Sequence, residues 1–318
     1  MSYEKKLIEG NFPCQEVGAE TKRERGASSA LPPLYFLHVW WARRPLTPSR
    51  AAVLGSILPA DTNPNVFLKD LGIVKKQAVI GDNRWTLVGK NLDLIEKDGD
   101  KEYIPFSEKF QKALEKENIR REKVMAKLDA LSNADSSINN NRIFIDWKNS
   151  NSPLPNDLLH QKYSVETIPA NPSEINMRID FASSDTVKKI IGSEIKIDPE
   201  DLYAYGRAYS NPIQDRFEHV TVLDPTSGGG SIPFEAMRLG CNVIANDLNP
   251  VATGIEMATL LYPAKFGSAL YDEIERYGDR LAKIVADKTA KFYHFSMPTV
   301  VYNFKQPLHQ TELRPARL

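Results

Sequence analysis

One stretch constrains the fold of this chain more than any other: VLDPTSGGGSIPFEAMRLGCNVIANDLNP, residues 222–250. Two short apolar runs, 220–223 and 242–245, flank a glycine-rich turn and an amphipathic segment. Gly240 is suitably placed to end a helix over 231–239, and Asn249 followed by Pro250 is typical of the start of the next helix. The pattern predicts a βαβ unit with parallel strands.

The same stretch indicates what kind of ligand the unit binds. A glycine-rich turn between a strand and a helix exposes backbone amides at the positive end of the helix dipole. Asp247 follows the second strand, where an acidic side chain commonly accepts hydrogen bonds from the hydroxyls of a ribose. Together the two features predict a cofactor that contains a nucleoside.

Three classes of cofactor compete for this unit. A P-loop is disfavoured because the Gly89-Lys90 pair has Arg84 where the first glycine of that motif belongs. A dinucleotide fingerprint, and with it an oxidoreductase, is disfavoured because Pro233 occupies the position of the third glycine. S-adenosylmethionine (SAM) needs no pyrophosphate site, and it offers a ribose to Asp247 and an ammonium group to Asp224. The residues therefore favour SAM.

DPTSGGGSIPFEAMRLG and VIANDLNPVA resemble the SAM-binding motif of amino-methyltransferases that act on DNA. With LHVWWARRPLTPSRA and KKLIEGNFPCQEVGAETKRE, the chain resembles one narrower family, the large adenine-specific DNA methylases associated with anti-phage defence. Their N-terminal segment is a domain of unknown function. The resemblance covers about 7–73 and 220–261. Thr226 departs from it, because many members of the broader class have phenylalanine there.

The resemblance implies a set of cofactor-binding residues: Asp224, Pro225, Thr226, Gly228, Gly230, Asp247, Leu248, Asn249, Arg43 and Arg44. For Arg43 and Arg44 three roles stay open. One of them pairs with the methionine carboxylate of SAM, or they bind DNA phosphates, or they are surface residues beside core tryptophans. No catalytic residue is assigned.

The implied architecture is α/β, a Rossmann-like SAM-dependent methyltransferase fold with a mainly helical insertion. We expect a family segment at 1–73 that packs on the SAM site, an insertion at 74–164 and the SAM-binding region at 165–318. The insertion is predicted to hold a hairpin around Gly81 and a helix over 107–131 with an apolar packing stripe. Further helices are predicted at 198–210 and 268–289.

Adenine-specific methylases need a second motif, [DNS]-P-P-[YFW], which holds the flipped target base. The sequence has no such motif; its nearest matches begin at Asn171, Asn211 and Asn249 and lack the second proline. We therefore expect the N-terminal part of a longer, split or truncated methylase, with an incomplete fold and no activity alone. Double-stranded DNA and a companion subunit are the expected partners. The alternative is a non-catalytic module that binds DNA or a partner on a half-Rossmann scaffold.

The bulk composition excludes several other classes. Lysine plus arginine equals aspartate plus glutamate at 41 each, so only a local basic patch could serve DNA. The candidates are Lys22, Arg23, Arg25, Arg43, Arg44 and Arg50. No histidine or cysteine spacing is typical of a metal site. The N-terminus is charged and no apolar run could span a membrane, which together predict a cytoplasmic protein.

Overall fold

The protein is described by a computed structural model that covers residues 4–26, 32, 34–38, 44–155, 162–191 and 216–292. It is a mixed α/β chain that divides into two compact units. Unit 1 consists of Met1–Ser28 and Leu54–Asn211, and unit 2 of Ser29–Val53 and Pro212–Leu318. The helix predicted at 198–210 and Arg43 lie outside the described residues.

The elements are numbered along the chain. The helices are α1 (Cys14–Gly26), α2 (Leu34–Leu37), α3 (Leu46–Ile57), α4 (Pro64–Leu71), α5 (Glu108–Ala134), α6 (Arg142–Ser150), α7 (Pro172–Ala182), α8 (Asp185–Ile191), α9 (Ser231–Arg238), α10 (Pro250–Glu256), α11 (Tyr262–Phe266) and α12 (Ala269–Thr289). The strands are β1 (Val74–Ile80), β2 (Asn83–Leu87), β3 (Glu96–Asp98), β4 (Lys101–Pro105), β5 (Lys162–Pro169), β6 (Thr221–Asp224) and β7 (Asn242–Ala245).

Unit 1 is organised around an antiparallel sheet in the order β2-β1-β5-β4-β3. The predicted hairpin is confirmed: β1 pairs with β2, and Ile80 lies opposite Asn83 across the turn at Gly81. Beyond this hairpin, the expectation of a mainly helical insertion did not include the other strands of the sheet, β3, β4 and β5. Strand β3 is wholly exposed and β1 carries two lysines and a glutamine, so the sequence shows little strand alternation there.

The long helix of the insertion packs on its own unit, as its apolar stripe predicts. The five stripe residues, Phe110, Leu114, Val124, Leu128 and Leu131, are all buried. Phe110 stacks on Tyr163 of β5 at a ring-centroid distance of 5.0 Å, and Trp85 joins the same core. Ser107 caps the helix by accepting a hydrogen bond from the amide of Phe110 at 3.2 Å.

Unit 2 contains the predicted βαβ unit. Strands β6 and β7 are parallel neighbours, with Thr221 opposite Asn242 and Asp224 opposite Ala245, and α9 lies between them in sequence. Pro233 fits the first turn of α9, where proline costs no hydrogen bond. Asn249 caps α10 by accepting from the amide of Val251 at 2.9 Å, and Pro250 follows at the first helical position.

Two apolar surfaces of unit 2 are uncovered within the described chain. Leu223 of β6 and Ile244 of β7 are 62% and 55% exposed, although parallel strands are normally buried on both faces. No residue of α12 is buried by the described parts of the chain. The helix predicted at 268–289 is thus confirmed, but none of its apolar residues is buried there. No described helix is both long and apolar enough to cross a membrane.

Candidate functional site

The glycine-rich turn joins the end of β6 to the start of α9. Gly228 and Gly230 have φ angles of 57° and 74°, in the left-handed region that glycine adopts without strain. A Cβ on Gly230 would lie 3.5 Å from Cγ of Glu256, so α10 packs directly against the turn. The turn therefore needs glycine for its backbone angles and places its main chain close to a buried acid.

The side chain of Asp247, which follows β7, contacts this turn. Its Oδ2 accepts a hydrogen bond from the amide of Gly228 at 2.8 Å, and its Oδ1 accepts from the amide of Asn249 at 2.8 Å. The amides of Asn249 and Gly228 lower the pKa of Asp247, so the side chain is a carboxylate over the neutral range. Each carboxylate oxygen has a second lone pair, so the group can still accept hydrogen bonds from a ligand.

Asp224 stands at the end of the neighbouring strand. Its Oδ1 accepts from the amide of Thr226 at 3.2 Å, and its own carbonyl accepts from the amide of Asn246 at 2.9 Å. Parallel strands end at the same edge of a sheet, so Asp224 and Asp247 belong to one edge together with the turn.

Two further residues, Ser227 and Glu256, support the turn, and neither was predicted as a site residue from the sequence. The Ser227 hydroxyl lies 3.0 Å from the carbonyl oxygen of Asn246 and makes a short hydrogen bond with Oε1 of Glu256. One hydroxyl hydrogen serves one of these acceptors at a time, so both bonds form together when Glu256 is protonated and donates to Ser227. Burial raises the pKa of Glu256, and the charges of Asp247 and Asp224 raise it further. Glu256 lies outside the quoted stretch 222–250, and no motif spacing marks a packed acid there.

A small cleft opens between the glycine-rich turn and the segment around α2. It has a volume of about 110 Å³, enough for a polar end group but not for a whole nucleoside. Its lining comprises Leu34, Tyr35, His38, Arg44, Thr226, Ser227, Gly228, Gly229, Ser231 and Ile255. The Tyr35 hydroxyl donates to the carbonyl of Arg44 at 2.8 Å, which fixes the backbone of Arg44 at the cleft.

The sequence-predicted residues fall into three groups. Asp224, Thr226, Gly228, Gly230, Asp247 and Asn249 come together at the turn, with Pro225 in the turn itself. Arg44 is exposed and lines the cleft beside Thr226 and Gly228, whereas Arg43 lies outside the described residues. Leu248 is 100% exposed next to Asp247. Tyr35 and His38 were missed, because an isolated tyrosine and histidine have no motif to mark them.

Arg50 was expected in a basic surface patch, and it is instead buried. Its Nη1 lies 3.2 Å from Oε2 of Glu235 on α9, and Nη1 of Arg238 lies 2.7 Å from Oε1 of the same carboxylate. Arg50 and Glu235 are each 1% exposed. Burial raises the pKa of Glu235, and the guanidinium groups of Arg238 and Arg50 oppose that rise. The three residues form a buried ion cluster that joins α3 to the helix beginning at the turn.

A second residue of the expected basic patch is also occupied by an ion pair. Nη1 of Arg23 lies 3.2 Å from Oε2 of Glu20, and the Arg23 side chain is only 8% exposed. Paired and largely buried, Arg23 is poorly placed to meet a phosphate. Arg23 and Arg50 therefore do not belong to an exposed basic patch, because both side chains are buried in ion pairs. The sequence shows that these residues are charged, but it does not show which guanidinium groups are buried.

A family model described as a protein of unknown function, DUF1156, matches residues 11–77, about a fifth of the chain. No curated protein and no solved structure matches the chain. The match spans Arg44 and Arg50 and ends before the glycine-rich turn. It agrees with the resemblance of the N-terminal segment to a domain of unknown function and says nothing about methyltransferases.

Proposed function

We propose that unit 2 is a Rossmann-like SAM-binding region. The observation that carries the proposal is the hydrogen bond from the Gly228 amide to Asp247. This bond holds the acid at the end of β7 directly against the glycine-rich turn. The sheet edge at the ends of β6 and β7 presents backbone amides and two acids. Such an edge, at the carboxyl ends of parallel strands, suits a nucleoside-containing ligand.

The residues present fit the parts of SAM. Asp247 accepts from the ribose hydroxyls, Asp224 accepts from the ammonium group, and Arg44 pairs with the methionine carboxylate across the cleft. The exposed side chain of Leu248 offers an apolar surface to the adenine. When bound, SAM supplies a methyl group activated by a sulfonium. Asp224 and Asp247 add negative charge that favours this cationic cofactor over its neutral demethylated product.

We further propose that this region serves an adenine-specific DNA methyltransferase that acts in phage defence or restriction-modification. Support comes from the sequence resemblance and from the match of the N-terminal segment to a domain of unknown function. The chain lacks the [DNS]-P-P-[YFW] motif, so base binding and catalysis belong to a companion segment or subunit. The uncovered faces of Leu223 and Ile244, and an apolar cleft of about 430 Å³ beside β7, offer that companion a surface.

Calorimetric titration with SAM tests the cofactor assignment, and transfer of labelled methyl groups to DNA is measured separately. We expect saturable SAM binding that Asp247→Ala weakens at least about tenfold, since it removes the ribose acceptor and the anchor of the turn. Asp287→Ala, at an exposed acid of α12, is the matched control and should bind as the unaltered chain does. No binding, or equal affinity for Asp247→Ala, contradicts the proposed site. Efficient DNA methylation by the chain alone contradicts the need for a companion.

A further inference from the structure

Helix α5 carries one row of basic side chains along most of its length. They recur at intervals of three and four residues, and we call them the basic row: Lys109, Lys112, Lys116, Arg120, Lys123 and Lys127. At 3.6 residues per turn, these positions fall within about 80° of the helix circumference and extend over about 27 Å. No acidic residue of α5 falls inside that arc, so the row has charges of one sign only.

The other charges of α5 lie on different sides of the helix. Four acids recur every seven residues and form a second row: Glu108, Glu115, Glu122 and Asp129. The apolar stripe occupies a third side and is buried in unit 1. A charged surface that serves only solubility normally mixes both signs. The separation of the two signs on α5 therefore indicates a surface for an anionic partner.

The middle of the basic row is open to a ligand. Lys116 and Lys123 are exposed, and neither makes an ion pair or a hydrogen bond with another residue in the described part of the chain. Lys112 pairs with Glu108, but the two side chains are 68% and 79% exposed, and an ion pair so exposed is weak. Arg120 is the member whose charge is balanced, by a glutamate in the preceding turn at 2.7 Å. A phosphate can therefore bind the lysines without breaking a buried contact.

Helix α8 ends beside the basic row. Nζ of Lys127 lies 3.5 Å from a backbone carbonyl oxygen in the last turn of α8, a neutral acceptor that leaves the lysine its charge. The same turn carries Lys188 and Lys189, both exposed, whereas the acid of this helix, Asp185, stands at its other end. Positive charge thus continues from α5 onto its neighbour.

A narrow, straight row of cations suits a nucleic-acid duplex better than a membrane. Each strand of duplex DNA carries a phosphate about every 3.4 Å along the axis, so a row of this length faces several phosphates. A membrane surface is broad, and a helix that lies on it buries an apolar face in the lipid. The apolar stripe of α5 is already buried in unit 1, and the acidic row would face a broad anionic surface.

We propose that the basic row of α5 binds the phosphate backbone of double-stranded DNA without regard to base sequence. The choice of DNA rests on the proposed methyltransferase function, but the row lies in unit 1 and includes no residue of the proposed SAM site. Phosphate contacts fix the position of a protein on a duplex and carry no sequence information themselves. The row therefore holds the duplex, and recognition of the target base is left to the companion.

Fluorescence anisotropy of a labelled DNA duplex, titrated with the full chain at several salt concentrations and without SAM, tests this surface. We expect the double variant Lys116→Gln with Lys123→Gln to bind about tenfold more weakly or worse. The slope of log K against log salt should flatten by about 1.8, because two phosphate contacts are lost. Glutamine is a good helix former, so circular dichroism should show undiminished helix.

The matched control is Lys283→Gln with Lys288→Gln, at two exposed lysines of α12. It removes the same charge and should bind DNA as the unaltered chain does. A chain that binds no duplex overturns the proposal, and so does equal binding by the two double variants. Tighter binding to vesicles of anionic lipid than to the duplex overturns it as well.

Titration with SAM separates this proposal from the cofactor assignment. The Lys116→Gln and Lys123→Gln variant should bind SAM as the unaltered chain does, because unit 1 supplies no residue of that site. If SAM binds and the double variant leaves DNA binding unchanged, the basic row is contradicted and the SAM site stands. If SAM does not bind and the double variant loses DNA, the SAM site is contradicted and the basic row stands.

Discussion

At the scale of the residue, the candidate site depends on which of its acids carry a proton. Asp247 accepts two backbone amides and is held as an anion, whereas Glu256 is packed beneath the turn with two anions nearby. The two acids therefore respond to pH in opposite directions. Asp247 stabilises the fold above its ordinary pKa, and that contribution is lost as the pH falls through its lowered pKa.

Glu256 gives the first prediction. Its pKa is raised in the folded chain, so its contribution to stability is present below its ordinary pKa and is lost as the pH rises through the raised value. Glu256→Gln keeps a neutral group that donates to Ser227 at every pH. Thermal unfolding between mildly acidic and neutral pH should show a smaller loss of stability for this variant than for the unaltered chain.

The control for this prediction is Glu275→Gln, at an exposed acid on α12. It should reproduce the pH profile of the unaltered chain, because that glutamate lies in water. If Glu256→Gln and the unaltered chain lose stability in parallel as the pH rises, protonated Glu256 does not support the turn.

At the scale of the element, the buried ion cluster decides how α3 is held against α9. Glu235 bridges Arg50 and Arg238, so its loss leaves two guanidinium groups without that carboxylate, whereas loss of Arg50 leaves the Glu235–Arg238 pair intact. We predict that Glu235→Gln destabilises the fold by about 3–5 kcal/mol and that Arg50→Met costs clearly less.

Urea unfolding measures both variants. Arg276→Met, at an exposed arginine on α12, is the matched control and should stay near the stability of the unaltered chain. Equal effects of Glu235→Gln and Arg50→Met, or the reverse order, would show that Glu235 is not the bridge between the two helices.

Elements with a strong local signal were predictable from the sequence. The bounds of β7, the Asn249 cap and the start of α9 were predicted correctly, because glycine, proline and asparagine fix backbone geometry locally. The start of α3 was not. That helix begins at Leu46 and accommodates Pro48 in its first turn.

At the scale of the whole molecule, contacts between residues far apart in the sequence could not be predicted. The five-stranded sheet of unit 1 pairs β1 with β5 across more than eighty residues of chain. Both strands carry several polar residues, and nothing in the sequence indicates that these two segments are partners. The grouping of residues at the candidate site was predictable where they lie in one motif, as Asp224, Gly228 and Asp247 do. Arg50 and Glu235, separated by 185 positions, could be paired only in the fold.

The central claim is that the turn after β6 and the acid after β7 form one SAM site. Ultraviolet cross-linking of radiolabelled SAM, followed by peptide mapping, tests it directly. We predict that label enters peptides covering 224–249 and that excess unlabelled SAM suppresses it. Labelling that is absent, that resists competition, or that falls only in unit 1 would contradict the account.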